Sequence, residues 1–237
     1  MIIILSLMGI EMAAPLGNML AKKEHQSAKN SLRLLEYLSN SLSVVFMTCT
    51  ALLIVPFVMV YTIGIHDVSY YRPIFAYLIC AAHFLSIIRS PFQSFVYAAG
   101  HFKQTRNGAF VEMGIKIIIS LVLVRNYGIV GVAIGSVCSI GFRTLQYAIY
   151  VSKNIIERSL WEFAKKTLFS MVSAVLIIII VQHIPEMKDL SYESWVLHAF
   201  PVFGVSIVIT ALFSALFYRI ELHELIETIH KIISNKR

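Results

Sequence analysis

Long apolar runs separated by short polar connections set the pattern of this chain. Seven runs lie at 1–20, 42–64, 73–99, 109–125, 127–150, 167–184 and 197–218. About 20 apolar residues cross the hydrocarbon core of a bilayer, so each run is a candidate membrane span. The runs are continuous rather than alternating, which favours helices. The pattern therefore predicts an all-α fold, a polytopic membrane bundle of about seven transmembrane helices.

The composition supports a membrane protein and narrows the choice of partners. Charged residues make up 14% of the chain, whereas soluble domains carry about 25%. The net charge of +7 would suit nucleic acid, but the charges cluster between the runs, so we expect membrane lipids and no nucleic acid. The cysteines lie in apolar runs without metal-ligand spacing. We therefore expect packing roles for them, and neither a metal nor a cofactor.

The basic residues are unevenly divided between the two sides of the predicted bundle. Every second connection, 21–41, 100–108, 152–166 and the tail 219–237, is rich in lysine and arginine. The intervening connections hold only Arg72, Arg125 and Lys188. Since basic loops stay on the cytoplasmic side, the N-terminus is predicted to be external and the C-terminus cytoplasmic. An external start with an immediate span would suit a chain cut from a longer, even-numbered bundle.

Two segments outside the runs have an amphipathic pattern. The tail, 219–237, places five apolar residues on one helical face: Leu222, Leu225, Ile226, Ile229 and Ile233. This pattern predicts a helix that lies in the cytoplasmic interface or caps the bundle. Residues 22–38 predict a similar connector, whose apolar side contains Leu32, Leu35 and Leu38.

The sequence shows no motif of catalysis. It has no nucleophile elbow, no HExxH sequence, no glycine-rich phosphate loop and no paired-carboxylate cluster. We therefore expect no catalytic residue, and a transport or binding protein rather than an enzyme.

Three basic residues lie well inside apolar runs, toward the same side of the membrane. At 1.5 Å per residue, Arg89 is roughly 16 Å from its cytoplasmic helix end, Lys116 roughly 12 Å and Arg143 roughly 10 Å. A charge at this depth is costly and by default functional. The three residues are thus candidates for binding an anionic substrate head group. The alternative is that their long side chains snorkel to the interface.

Two carboxylates and a proline accompany these charges. Glu112 precedes Lys116 by one helical turn, which favours an ion pair between them. Glu11, halfway along the first run, is a candidate coupling carboxylate or a lone protonated residue. Pro91 follows shortly after Arg89 and removes a helix hydrogen bond, so it predicts a helix break beside the charge, as in transporter binding sites.

Small residues at spacings of four predict close helix contact in the fifth run. They are Gly131, Gly135 and Ser139, and Arg143 follows near the same face. In the third run, His83 is interpreted as a satisfied interior histidine in preference to a proton relay.

Three stretches in the third to fifth runs carry a family pattern: YAAGHFKQT at 97–105, EMGIKIIISL at 112–121 and YGIVGVAIG at 127–135. The pattern resembles the polysaccharide (O-antigen) flippase family of the multidrug/oligosaccharidyl-lipid/polysaccharide exporter superfamily. Members have two lobes, and this chain aligns with their C-terminal part. The resemblance implies that 1–20 is the last helix of an otherwise missing N-terminal lobe. It makes 21–41 the interlobe connector and 42–218 a six-helix C-terminal lobe.

The resemblance also implies a function. It implies flipping of undecaprenyl-pyrophosphate-linked oligosaccharide across the bacterial inner membrane during O-antigen or capsule biosynthesis. Arg89, Lys116 and Arg143 would be the cationic residues of the cavity, and a missing N-terminal lobe or a second copy would complete the transporter.

Other functions fit parts of the pattern. A nontransporting fragment or membrane subunit would suit so short a chain. A drug/cation antiporter of the same superfamily would need acidic cavity residues, whereas these candidates are basic. A membrane glycan polymerase would need a longer external loop than any predicted here.

Overall fold

The computed structural model of this chain describes residues 13–65, 67–185, 187 and 189–234, with side chains through residue 226. Within these ranges the regular structure is helical: α1 (Ala13–Ala21), α2 (His25–Tyr61), α3 (Pro73–Ala98), α4 (Phe102–Tyr127), α5 (Ile129–Asn154), α6 (Leu160–Val181), α7 (Tyr192–Phe217) and α8 (Arg219–Ser234). Six of these helices, α2 to α7, are long and apolar enough to cross a membrane. The chain is therefore a helical membrane protein, as its sequence predicts.

The first predicted span, 1–20, lies mostly outside the described residues, and Glu11 lies outside them altogether. The last part of this run forms α1, a helix of nine residues. The count of six spans accordingly applies to the described part of the chain.

Helix α2 runs through both the predicted connector and the second predicted span. It has 37 residues and begins at His25, whereas the predicted span begins at 42. Residues 25–41 contain no proline or glycine that would end a helix. One side of this segment is covered by the rest of the protein, with Ala28 and Leu32 fully buried. The connector is thus the first part of a long helix that packs onto the bundle.

Helix α2 is also the centre of the packing. Helices α3, α6 and α7 pack against α2, α5 packs on α3, and α4 packs on α5. One apolar core, around Leu32, Phe92 and Val151, lies where α2 and α6 begin and where α3 and α5 end. We call this the basic end, because the predicted basic connections lie there. A second core joins α2 to α6 and α7 around Val44 and Val202.

Glycines bring α5 close to α4, as the spacing of small residues predicts. A Cβ atom added to Gly131 would lie 2.6 Å from the backbone carbonyl carbon of Leu123. One added to Gly135 would lie 2.4 Å from Ser120 Oγ. Real Cβ atoms do not approach so closely. The Ser120 hydroxyl group can rotate away, but the backbone of Leu123 cannot, so Gly131 is the position that requires glycine.

Helix α3 continues through Pro91, so the predicted helix break does not form. Helical structure extends from Pro73 to Ala98, and Pro91 is buried within it. The proline removes one backbone hydrogen bond, and in the turn that follows Ser94 Oγ donates to Ser90 O at 3.0 Å. Packing against α2 and α5 holds the two halves of the helix together.

Candidate functional site

Glu112 of α4 links two arginines from the neighbouring helices α3 and α5. Its Oε1 lies 3.1 Å from Arg89 Nη1, and its Oε2 lies 3.5 Å from Arg143 Nε. The side chain of Arg143 is 7% exposed, that of Arg89 18% and that of Glu112 26%. We call these three residues the intramembrane cluster. Two guanidinium groups and one carboxylate leave the cluster with a net positive charge.

Arg143 is held on several sides by α4 and α5. Its Nη1 donates to Thr105 O at 2.8 Å and to Gln146 Oε1 at 2.6 Å. Its Nη2 donates to Tyr147 OH at 2.9 Å, and the guanidinium carbon lies 4.3 Å from the centre of the Tyr147 ring. With Glu112 as a further partner, little of its donor capacity is left. Arg143 therefore points inward rather than snorkelling, and it joins α4 to α5.

Arg89 is less completely satisfied than Arg143. Its Nη1 contacts Glu112, but its Nε is buried without a hydrogen-bond partner. A buried donor left unpaired costs about 1–3 kcal/mol, and a guanidinium has five N–H donors to satisfy. Arg89 is thus the residue of the cluster with capacity for a further anionic ligand.

Lys116 lies apart from the cluster, on the exposed side of α4. The sequence predicts that it pairs with Glu112, but Glu112 contacts the two arginines instead, and Lys116 has no ion pair with any residue the structure describes. Both arginines approach Glu112 from inside the bundle, where charge pairs are stronger than at an exposed surface. The three predicted basic residues therefore do not meet at one point: two share a carboxylate, and the third faces outward.

An apolar cavity of about 830 Å³ lies between α2 and α3, toward the end opposite the basic end. Its size is within the range of ligand pockets. Most of its lining is apolar, with a few polar groups that include Tyr70, Arg72 and His83. His83 is exposed to this cavity and makes no hydrogen bond with a described residue. It is therefore not the satisfied interior histidine that the sequence suggests.

A second charged cluster, which the sequence pattern does not predict, lies at the basic end. Glu36 of α2 accepts hydrogen bonds from both outer nitrogens of Arg158, one of them at 2.7 Å, and lies 3.4 Å from Lys166 Nζ. Glu221 Oε1 lies 3.5 Å from Lys166 Nζ and 3.5 Å from Arg33 Nε. We call these five residues the basic-end network.

The side chains of the basic-end network are largely buried, which indicates that the network stabilises the fold. The side chains of Glu36 and Arg158 are each 1% exposed, and those of Lys166 and Glu221 are each 8% exposed. The network joins α2, α6, α8 and the connection that precedes α6. Removing one partner of such a pair leaves an uncompensated buried charge. The one signal in the sequence is an acidic residue, Glu36, among the apolar residues of 32–38.

Tyr218 borders the network, between α7 and α8. Its hydroxyl group donates to Lys166 O at 3.4 Å. Burial raises the pKa of Tyr218 above its ordinary value, and the nearby carboxylates of Glu221 and Glu36 raise it further. The hydroxyl group therefore stays protonated well into the alkaline range.

The tail forms the predicted helix, α8, but its contacts differ from the predicted face. Glu221 is buried in the basic-end network, whereas Ile226 is 56% exposed. Charge pairing, in addition to apolar contact, thus attaches α8 to the bundle. Ile229 and Ile233 lie beyond the described side chains.

A metal site would need several ligating side chains close together. The described residues contain no group of three or more histidine, cysteine, aspartate or glutamate side chains that could hold a metal ion.

Comparison of the chain with models of known protein families, with curated proteins and with solved structures finds no match. The resemblance to polysaccharide flippases therefore rests on the sequence stretches 97–105, 112–121 and 127–135.

Proposed function

We propose that this chain helps to move pyrophosphate-linked oligosaccharide lipids across a bacterial inner membrane, as the C-terminal part of a flippase. The observation that carries the proposal is the intramembrane cluster. It places a net positive charge, with an unsatisfied Arg89 Nε, within membrane-spanning helices. Charges at this depth mark substrate pathways in transporters.

The cluster has the chemistry to bind a pyrophosphate group. Such a group carries more negative charge than one carboxylate, so it competes with Glu112 for Arg89. Glu112 then has a second cation one turn along its own helix, Lys116, to pair with. Arg143, held by Thr105 O and Tyr147 OH, keeps α4 and α5 together while Arg89 changes partner.

Binding of undecaprenyl pyrophosphate to the purified chain in lipid nanodiscs tests this proposal. Arg89→Gln keeps most of the side-chain length but removes the charge. Because a hydrogen bond to a charged group contributes about 1.5–3 kcal/mol, we expect affinity to fall by about tenfold or more. Arg106→Gln, at an exposed position of α4 outside the cluster, is the matched control.

Two outcomes would contradict the proposal. One is equal binding by the unchanged chain and Arg89→Gln. The other is equal binding of undecaprenyl pyrophosphate and undecaprenol, which has the same chain but no phosphate. Transport itself is tested by expressing the chain in a flippase-deficient bacterium and assaying surface polysaccharide, alone and with a candidate N-terminal lobe.

A second candidate function, that of a nontransporting membrane subunit, is favoured by the surface of α4. This helix packs mainly on α5, and its outer side carries Phe110, Ile118, Leu121 and Val122, each more than 60% exposed. An apolar face of this kind fits a partner helix as well as lipid. Copurification of a stable partner together with failure to bind undecaprenyl pyrophosphate would favour this second function.

A drug/cation antiporter receives less support from the cluster. A cation site needs a carboxylate that is free to bind it, whereas Glu112 is engaged by both Arg89 and Arg143. Binding of undecaprenyl pyrophosphate separates a flippase from an antiporter, because a cation site would not bind the pyrophosphate group through Arg89.

A further inference from the structure

A pocket of about 490 Å³ opens at the basic end, between α2, α6 and the junction of α7 with α8. Its charged lining consists of four basic residues and two acidic ones: Arg33, Lys165, Lys166, Arg219, Glu162 and Glu221. The pocket therefore has more positive than negative charge. We call it the basic pocket.

The two acidic residues of the basic pocket already have partners. Glu221 contacts Arg33 and Lys166. Glu162 Oε2 lies 3.7 Å from Nη1 of Arg158, which precedes α6. The excess of positive charge is thus not neutralised by the carboxylates of the pocket itself.

Lys165 and Arg219 are the two cations of the basic pocket that make no ion pair with a described residue. Lys165 Nζ lies 5.6 Å from the centre of the Phe169 ring, and Arg219 Nε donates to Ala215 O at 3.1 Å. Both side chains are exposed. The Lys165 ammonium group and the outer nitrogens of Arg219 are therefore available to an anion that enters the pocket.

The wall that α7 contributes is apolar. Leu216 and Phe217 line the pocket and are 61% and 50% exposed. They are the last residues of a membrane-spanning helix, so they lie where acyl chains meet head groups. Arg219 and Glu221 lie in the first turn of α8, whose helix dipole also favours a negative group there. The pocket thus combines two available cations with an apolar wall at one surface of the membrane.

We propose that the basic pocket binds the phosphate group of an anionic phospholipid. Lys165 and Arg219 contact the phosphate, and Leu216 and Phe217 contact the acyl chains. Basic pockets between spanning helices suit anionic head groups in this way. A soluble phosphate ester shares the phosphate chemistry but lacks the acyl chains. The inference does not rest on the flippase proposal, because it uses none of the residues of the intramembrane cluster.

Native mass spectrometry of the purified full chain with added phosphatidylglycerol tests the proposal. We expect the chain to retain phosphatidylglycerol in preference to phosphatidylcholine with the same acyl chains. Because Lys165 and Arg219 contact the phosphate directly, and each such contact is a hydrogen bond between charged groups, Lys165→Gln/Arg219→Gln should weaken retention by about tenfold or more. Lys103→Gln/Lys153→Gln removes the same charge from exposed positions at the same end and should leave retention unchanged.

Three results would overturn the proposal. The two lipids share the phosphate and differ in net head-group charge, so equal retention would show that the pocket does not select an anionic phospholipid. Equal loss in the two double variants would show that the net charge of the chain, and not this pocket, attracts the lipid. Displacement of phosphatidylglycerol by excess glycerol 3-phosphate would show that the occupant is a soluble phosphate ester.

Fluorescence gives a second measurement that does not depend on mass spectrometry. The chain has two tryptophans, and Trp161 lies one turn before Lys165 and is 70% exposed. In a Trp195→Phe background, brominated phosphatidylglycerol should quench Trp161 more strongly than brominated phosphatidylcholine. The added variant Lys165→Gln should reduce this difference, without disturbing the buried network. Equal quenching by the two lipids in the starting background would again overturn the proposal.

Discussion

Two glutamates, Glu36 and Glu112, each contact two cations, but in different surroundings. The Glu36 side chain is 1% exposed, and that of Glu112 is 26% exposed. A fully buried carboxylate cannot exchange its partners for water, so Glu36 is committed to Arg158 and Lys166. The partial exposure of Glu112 leaves room for exchange, which a binding site needs.

The buried position of Glu36 leads to a stability prediction. Glu36→Gln keeps the shape but leaves Arg158 and Lys166 buried without their shared counter-charge. Breaking a buried pair in this way costs about 3–5 kcal/mol. We therefore expect a large drop in the thermal unfolding temperature in detergent. Glu24→Gln, which is exposed and makes no side-chain capping bond, is the matched control. A similar small shift in both variants would contradict the structural role of the network.

Tyr218 gives a pH prediction whose sign follows from its raised pKa. In the unfolded chain a tyrosine loses its proton near about pH 10, whereas the folded chain keeps it to higher pH. The stabilisation is therefore complete below about pH 10 and is lost as pH rises through the folded pKa. Tyr218→Phe should flatten the alkaline fall of the unfolding temperature. The exposed-site variant Tyr127→Phe should not, and identical pH profiles of all three chains would contradict the prediction.

The residue scale also shows what the sequence can reveal about the site. Arg89 and Arg143 can be recognised from the sequence alone, because each is a basic residue inside an apolar run. Their shared partner could not be identified. Lys116 is the nearest cation to Glu112 along the chain, but the arginines reach it from other helices. The role of Glu36 is hidden for a related reason, since its partners Arg158 and Lys166 lie far away in the sequence, in the basic connection 152–166.

At the scale of the helix, the contact between α4 and α5 depends on glycine. Gly131→Ala would place a methyl group 2.6 Å from the backbone carbonyl carbon of Leu123 in α4. The backbone of a packed helix cannot move aside without a cost in stability. Overpacking of this kind costs about 1–3 kcal/mol. Gly114→Ala is the matched control, because a Cβ there meets nothing within 4 Å. We expect a lower unfolding temperature for the first variant and an equal or higher one for the second; the reverse order would contradict the packing.

The helices themselves were largely predictable, whereas their ends were less so. Apolar length identified α2 to α7 because a span must be both long and apolar. The predicted second span begins at 42, well after the start of α2 at His25, because the polar residues between these positions suggest a connector. Several of those residues are buried against α6, where Glu36 contacts Lys166 and Asn40 accepts a hydrogen bond from Ser170. Partners that lie far away in the chain leave no local pattern.

At the scale of the whole molecule, the two charged clusters lie in parts of the bundle with different packing. The intramembrane cluster lies among α3, α4 and α5, and α4 has no large neighbour besides α5 among the described elements. The basic-end network lies where α2, α6 and α8 meet. The better-covered side of the molecule thus carries the structural charges, and the more open side carries the candidate substrate site.

Orientation in the membrane decides which leaflet each of these features meets. The distribution of lysine and arginine predicts that the basic end faces the cytoplasm. A cysteine-free background is made by replacing the three native cysteines, Cys49, Cys80 and Cys138, with alanine. In this background Lys103→Cys reports on the basic end, and Val68→Cys reports on the opposite end. Both positions are exposed. A membrane-impermeant maleimide added to intact cells should label Val68→Cys alone, and disruption of the cells should make Lys103→Cys reactive. Labelling of Lys103→Cys in intact cells would reverse the orientation and place the basic pocket in the outer leaflet.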